Sequence, residues 1–161
     1  MRAATGPDLM PLTVSDHLEL SALVHRYAAN VDDRRFDDVV ELFTETAQLV
    51  LPEPPLHLVP TRTSTGPDGI RAAMATLDAV TRTQHDIVGE VYDGTAESAA
   101  GRITCVAHHW TNGPDGTVTD LVWHLRYDDT YLRTRNGWRI ARRALYLNAI
   151  ETRPIRRLRE R

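Results

Sequence analysis

A long amphipathic segment near the start of the chain places the strongest constraint on its fold. Beginning near Thr13, apolar residues recur every three or four positions, as in a helix with one buried face; they are Leu20, Leu23, Val24, Tyr27, Ala28 and Val31. Thr13 followed by Asp16 fits a capping box at the start of this helix. A second, short helix is predicted where the same spacing returns at Phe36, Val39, Val40 and Phe43. Both helices need a core to pack against.

The remainder of the chain predicts mostly strands. Residues 47–51 form a short apolar run typical of a strand, whereas residues 52–69 are expected to form a long loop because they contain many prolines. A third helix is predicted by the spacing of Ile70, Ala73, Met74 and Leu77. Four strands separated by glycine-containing turns follow at 84–93, 99–110, 118–133 and 137–147. Helices first and a strand meander afterwards favour an α+β fold, in which a curved, mainly antiparallel sheet and three helices enclose a pocket.

The composition limits the classes of function. A chain of 161 residues is expected to form one domain over 12–150, with a flexible arm at 1–11 and a basic tail at 151–161. The net charge of −3 gives no general attraction to nucleic acids or anionic membranes, and neither is expected as a partner. All nineteen basic residues are Arg, which excludes Schiff-base lysine chemistry and an intact P-loop.

Several motifs are missing from the sequence. No segment reads as a signal peptide or a membrane span, so a cytoplasmic protein is expected. The single Cys105 can form neither an internal disulfide nor a cysteine zinc site. His108 and His109 are adjacent on a predicted strand, so they face opposite sides and cannot bind one metal ion together. We expect neither a metal nor a cofactor.

Two histidines are the strongest candidates for chemistry. The predicted strand 99–110 alternates a small or apolar set with a polar set, and His109 belongs to the first of these, with Gly101, Ile103, Cys105 and Ala107. This parity places His109 inside the pocket and His108 outside it. His85 begins the first meander strand and can also point inward. Imidazole titrates near neutral pH, so it can take up and return a proton, although a core histidine with satisfied hydrogen bonds is the alternative.

Polar residues at the end of the first helix could complete such a site. A buried carboxylate is costly without a partner, so a pocket is one reason to place Asp32 or Asp33 there. These residues could equally end the helix, and Tyr27 could belong to the core. Three aromatic residues share one face of a predicted strand and could wall a pocket or form a packed sheet interface; they are Trp123, Tyr127 and Tyr131.

The order and spacing of these patterns resemble the SnoaL-like branch of the NTF2-like superfamily, which includes scytalone dehydratase. The similar stretches are RYAANVDDRRFDDVVELFTETAQL (26–49), GPDGIRAAM (66–74), TQHDIVG (83–89), GRITCVAHHW (101–110) and NGWRIARR (136–143). The resemblance implies a cone of curved sheet and helices around one deep pocket, in a homodimer or homotrimer. It also implies that Tyr27, Asp32, His85 and His109 are the catalytic residues, with His85 paired to Asp32. We expect the substrate to contact Trp123, Tyr127, Phe36 and Cys105.

The resulting hypothesis is a cofactor-independent dehydratase, cyclase or isomerase that acts on a small, apolar substrate of polyketide or polycyclic type. His85 would abstract a proton next to a carbonyl, while Tyr27 and His109 would polarise that carbonyl or protonate a leaving hydroxyl. A non-catalytic binding module of the same fold is one alternative, and it predicts either that His85 and Asp32 lie too far apart to hydrogen-bond or that core side chains fill the pocket. An accessory subunit of an oxygenase, with its exposed sheet packed on a partner chain, is another.

Overall fold

Three α-helices and six strands make up residues 10–159, the part of the chain that this computed structural model describes. In chain order they are α1 (Val14–Asp32), α2 (Phe36–Val40), β1 (Phe43–Glu53), β2 (His57–Thr65), α3 (Gly66–Ala75), β3 (Arg82–Gly94), β4 (Ser98–Asn112), β5 (Val118–Thr134) and β6 (Gly137–Ile155). A short 3-10 helix, Thr76–Ala79, follows α3. The predicted α+β class is confirmed.

The strands form one six-stranded sheet in the order β2-β1-β6-β5-β4-β3. Only the β1–β6 pair is parallel, so the sheet is mainly antiparallel, as expected. Helix α1 packs against β3 and β6, and α3 packs against β1, so the helices cover one face, which we call the inner face. Val88 in β3, and Ala141 and Asn148 in β6, have no residue opposite them in the neighbouring strand. Such inserted residues bend and twist a strand, which accounts for the curvature of the sheet.

Asp16 holds the start of α1 against the sheet. Its carboxylate accepts hydrogen bonds from the backbone and hydroxyl of Thr13, at 2.8 and 2.7 Å, and the hydroxyl of Thr13 accepts from the backbone of Asp16. This is the capping box that the sequence predicts. The same carboxylate accepts from the indole of Trp138 at 3.1 Å and pairs with Arg133. One side chain therefore caps the helix and joins it to β5 and β6.

The long loop predicted for residues 52–69 is wrong. Strand β1 extends to Glu53 and pairs with β2 as an antiparallel hairpin. The prolines do not prevent this arrangement, because Pro54 and Pro55 lie in the turn between the two strands. Pro60 lies in β2, which is at the edge of the sheet, where a missing N–H need not remove a ladder hydrogen bond.

Three other boundaries differ from the predictions. Phe43 begins β1 rather than ending the second helix. Helix α3 starts at Gly66, so Pro67 lies in its first turn, where the absence of an N–H is tolerated. Strand β6 reaches Ile155, and residues 151–155 of the predicted basic tail therefore pair with β5.

The predicted N-terminal arm lies mostly outside the described residues. Of its last two residues, Met10 accepts a backbone hydrogen bond from Ala96, and Pro11 forms an isolated bridge with Thr95. Residues 10–159 contain no helix that is long and apolar enough to cross a membrane. The cytoplasmic location and the domain boundaries stay predictions.

Replacement of Asp16 by Ala should lower the free energy of unfolding by about 3 kcal/mol, because it removes the helix cap, leaves the buried Trp138 indole without its acceptor and breaks the ion pair with Arg133. Chemical denaturation followed by circular dichroism measures this change. Ser15→Ala is the matched control, since Ser15 is exposed and makes only a 3.5 Å contact with Glu19; it should change stability by less than about 0.5 kcal/mol. Equal stability of the two variants would contradict the role given to Asp16.

Candidate active site

A cavity of about 120 Å³ lies between the inner face of the sheet and helices α1 and α3. Its apolar wall includes Val31, Leu51, Met74, Leu125 and Leu145. The polar or aromatic side chains that line it are Tyr27, Arg62, Thr76, His85, His109, Trp123 and Tyr127. An apolar cavity of roughly 150 Å³ binds benzene. The present cavity therefore has room for a molecule of about one ring.

Asp32, the last residue of α1, contacts His85 of β3. Its Oδ1 lies 2.7 Å from Nδ1 of His85, and its Oδ2 accepts a hydrogen bond from the His85 backbone N–H at 2.8 Å. A carboxylate can only accept, so Nδ1 carries a proton and Nε2 is the nitrogen left to meet a ligand. The side chain of His85 is 8% exposed and that of Asp32 is 22% exposed. The structure thus brings together the two groups that the sequence pairs.

The chain reversal after α1 fixes the position of Asp32. Arg34 adopts a left-handed backbone conformation with φ of 60°, and its guanidinium donates to the Val31 carbonyl at 3.1 Å and to the Thr83 hydroxyl at 2.6 Å.

Burial raises the pKa of the Asp32 carboxyl, but the hydrogen bonds and charge of His85, together with the hydrogen bond from Thr83, lower that pKa overall. Asp32 is therefore ionised at neutral pH.

His109 is held in one tautomer by the backbone of β5. Its Nδ1 lies 3.1 Å from the Leu121 carbonyl, which can only accept, so Nδ1 carries the proton. Burial lowers the pKa of His109 from the ordinary 6.5 to about 4. Its ring centroid lies 6.2 Å from that of His85 and 4.7 Å from that of Trp123. His109 is consequently neutral at physiological pH, and its Nε2 is a hydrogen-bond acceptor.

A fully buried ion pair packs against Tyr27. Arg143 of β6 donates from Nε and Nη2 to the two carboxylate oxygens of Asp129 of β5, at 3.0 and 2.6 Å. The guanidinium carbon lies 4.1 Å from the ring centroid of Tyr27 and 4.2 Å from that of Tyr127. Burial raises the pKa of the Tyr27 phenol, against the effect of the Arg143 charge. The phenol therefore keeps its proton and can donate it in a hydrogen bond.

Comparison with known proteins places this fold in a family. Residues 12–144 match the SnoaL-like domain family. The chain belongs to that family. An uncharacterised relative, Rv2910c of Mycobacterium tuberculosis, is 30% identical to this SnoaL-like domain over 137 residues, which are 81% of this chain and 84% of the relative.

Solved structures share the architecture of this SnoaL-like domain. Kfla4162 of Kribbella flavida has a TM-score of 0.72 at 25% identity, over 85% of this chain and 93% of that chain. A Novosphingobium aromaticivorans protein, provisionally named a scytalone dehydratase, has a TM-score of 0.73 at 17% identity, over 92% and 97% of the two chains. The second likeness shows the fold alone. The predicted SnoaL-like, NTF2-like fold is confirmed.

The sequence reasoning missed Arg143 because a bulge changes the parity of β6. Trp138 and Ile140 point inward, so strict alternation would turn Arg142 inward next. The unpaired Ala141 shifts the alternation by one residue, and Arg143 enters the core instead. No signal in the sequence marks that insertion.

Asp129, in contrast, could have been found from the sequence. It lies at two-residue spacing between Tyr127 and Tyr131, which are buried on the inner face. A carboxylate on such a face requires a partner. The SnoaL-like domain supplies two, because the Tyr131 hydroxyl also donates to Asp129, at 2.6 Å.

The predicted substrate-binding residues have different positions. Trp123 and Tyr127 line the cavity. Cys105 and Phe36 are not among the described residues that line it. Cys105 is fully buried in the core, where burial raises the pKa of its thiol to about 12 and the Tyr127 hydroxyl hydrogen-bonds to it. Phe36 begins α2 and packs against the edge of the core.

His108 points away from the cavity, as the strand parity predicts. Its Nδ1 lies 2.6 Å from Oδ2 of the buried Asp120, and its ring stacks on Trp110 with centroids 5.4 Å apart. Strand β4 pairs with β5 without a register shift, which explains why the alternation holds there. Within residues 10–159, no group of three or more His, Cys, Asp or Glu is arranged to hold a metal ion. Independence from metals and cofactors stays a prediction.

We expect the imidazole of His109 to titrate near pH 4 in an NMR titration of the folded protein. Since this pKa lies below that of the unfolded chain, the neutral ring contributes its full stabilisation above about pH 6.5. That contribution, roughly 3 kcal/mol at most, is lost as the pH falls toward 4. The difference in unfolding free energy between the wild type and His109→Gln should therefore shrink over this interval. A titration midpoint near 6.5 would contradict the assignment.

Proposed function

We propose that this SnoaL-like domain is a cofactor-independent acid–base enzyme, a lyase or isomerase, that removes a proton next to the carbonyl of a small, apolar substrate. One observation carries the proposal: the ionised Asp32 holds Nδ1 of His85 at 2.7 Å, and His85 lines an apolar cavity. A histidine held in this way offers Nε2 as a base in a fixed direction.

The remaining groups suit the charges that such a reaction develops. When Nε2 of His85 takes a proton from carbon, the new imidazolium already donates its other N–H to Asp32, which stabilises the positive charge. The protonated phenol of Tyr27 donates to the carbonyl oxygen, where negative charge accumulates. In a dehydration, the electron pair of the broken C–H bond forms the carbon–carbon double bond, and the proton leaves with the β-hydroxyl as water. In an isomerisation, the proton returns to a different carbon.

His109 receives a different role from the one first expected. Its low pKa and the engagement of Nδ1 by Leu121 disfavour it as the proton donor to a leaving group. Its Nε2 can accept a hydrogen bond from a substrate hydroxyl and orient it toward His85. We therefore assign proton delivery to His85 and orientation of the substrate to His109.

The cavity supports a substrate of limited size. A volume of about 120 Å³ encloses roughly one ring, and a polycyclic molecule would have to extend through the mouth. The polyketide or polycyclic substrate stays a prediction. The binding-only alternative predicts either that Asp32 and His85 lie apart or that core side chains fill the pocket. It receives less support, since the two groups are in hydrogen-bond contact and a cavity of about 120 Å³ remains.

The test uses one-ring β-hydroxy ketones, with 3-hydroxycyclohexanone as the lead compound, whose dehydration produces an ultraviolet-absorbing conjugated ketone. We expect the wild type to accelerate dehydration, or deuterium exchange at the carbon next to the carbonyl. His85→Gln should lower kcat/KM by about 10²- to 10⁴-fold because it removes the base. Asp32→Asn should also lower it, because the amide cannot balance the imidazolium charge.

His108→Gln is the matched control for this experiment. His108 also places Nδ1 on a buried carboxylate, but on the outer face of the sheet, so its loss should leave the rate unchanged. Equal rates for the wild type and His85→Gln, or no acceleration of dehydration or exchange by a folded wild type, would contradict the proposal.

We further propose that the outer face of the sheet is covered in a homodimer or homotrimer. The described helices pack on the inner face, and the outer face carries Val88 and Val91, which are 61% and 60% exposed. Size-exclusion chromatography with light scattering should give two or three times the chain mass of 18.1 kDa. A monomeric mass would contradict this assembly and would favour the accessory-subunit alternative.

A further inference from the structure

The mouth of the cavity carries an arginine that has no partner in the described part of the protein. Arg62 lies on β2 opposite Leu51, and both residues line the cavity. Its side chain is exposed and forms no hydrogen bond or ion pair with another described residue. The other arginines near the site are engaged: Arg34 binds Thr83, and Arg143 binds Asp129.

The interior of the cavity also offers two hydrogen-bond donors to a ligand. The indole N–H of the cavity-lining Trp123 is buried and has no hydrogen-bond partner among the described residues. Tyr27 adds a phenol that keeps its proton. No Asp or Glu is among the described residues that line the cavity, and the nearby Asp32 is already bound by His85. A ligand that complements Trp123, Tyr27 and Arg62 therefore brings acceptors and negative charge.

We propose that the substrate of this site is a small monoanion: a carboxylate of about one ring in size, with its carboxylate on Arg62 and its apolar body inside the cavity. The inference rests on the proposed function, since it takes the same cavity as the substrate site. The planar guanidinium can bind a carboxylate through two parallel N–H···O bonds, which also orients the ligand. The carbonyl that reacts then lies toward His85 and Tyr27, where the donors and the base are.

The contribution of Arg62 to affinity is limited, because Arg62 lies exposed to solvent at the mouth of the cavity. An ion pair at a solvent-exposed mouth is screened by water and salt, so it selects among ligands rather than supplying most of the affinity. We expect the charge to contribute a factor of about five in affinity. The apolar wall supplies the rest, which a neutral analogue of the same shape should keep.

The experiment compares benzoate with benzamide, two one-ring compounds of nearly the same shape that differ in charge. Their dissociation constants are measured by NMR titration or calorimetry at low ionic strength. The wild type should bind benzoate about fivefold more tightly than benzamide, and Arg62→Gln should abolish that preference. Raising the salt concentration to 0.5 M shortens the Debye length to about 4 Å, so the charge of Arg62 is screened and the preference of the wild type for benzoate should also fall.

Arg102→Gln is the matched control. Arg102 is an exposed arginine on the outer face of β4, so its replacement removes the same charge without touching the cavity and should leave the preference intact. Equal affinities of the wild type for both probes, a preference that persists in Arg62→Gln, or no binding of either probe would each overturn the inference. Because the readout is binding, a preference that depends on Arg62 would stand even if His85→Gln left turnover unchanged. Conversely, turnover that depends on His85 without a preference for benzoate would overturn only the substrate class.

Discussion

A guanidinium that has no contact with water is the constraint on which the rest of this structure depends. Although burial lowers the pKa of Arg143, the Asp129 carboxylate raises it well above its ordinary value, so the side chain stays charged. The charge is balanced by Asp129 and by the ring faces of Tyr27 and Tyr127. Removing one partner from a buried pair costs about 3–5 kcal/mol. Strands β5 and β6 and helix α1 therefore have to meet at this point.

The geometry of the candidate site depends on this packing of α1 against β5 and β6, because the side chains of the site come from both the helix layer and the sheet. Helix α1 supplies Tyr27 and Asp32, whereas the sheet supplies His85, so their spacing depends on how the helix lies on the sheet. At its first turn the helix is joined to Trp138 through Asp16. The spacing of Asp32 and His85 is thus a product of how α1 docks on the sheet.

The sequence predicted the parts of the fold that local chemistry decides. Helix α1 and the inward orientation of His109 follow from periodicity, since a cap starts the helix and β4 pairs with β5 without a shift. The hairpin within 52–69 was missed because proline is a reliable breaker only where its N–H is needed, and a turn and an edge strand do not need it. Arg143 was missed because the inserted residue at Ala141 leaves no compositional mark.

That insertion has a consequence for how the sheet tolerates errors in pairing. Arg142 and Arg143 are neighbours, so a slip that removed the bulge at Ala141 would still offer Asp129 a guanidinium. The electrostatic partner alone cannot distinguish the two alignments. Farther along the strand, however, the slip would turn the 6%-exposed Leu145 and Leu147 from the interior to the solvent. The burial of Leu145 and Leu147, rather than the ion pair itself, therefore determines which arginine occupies the core.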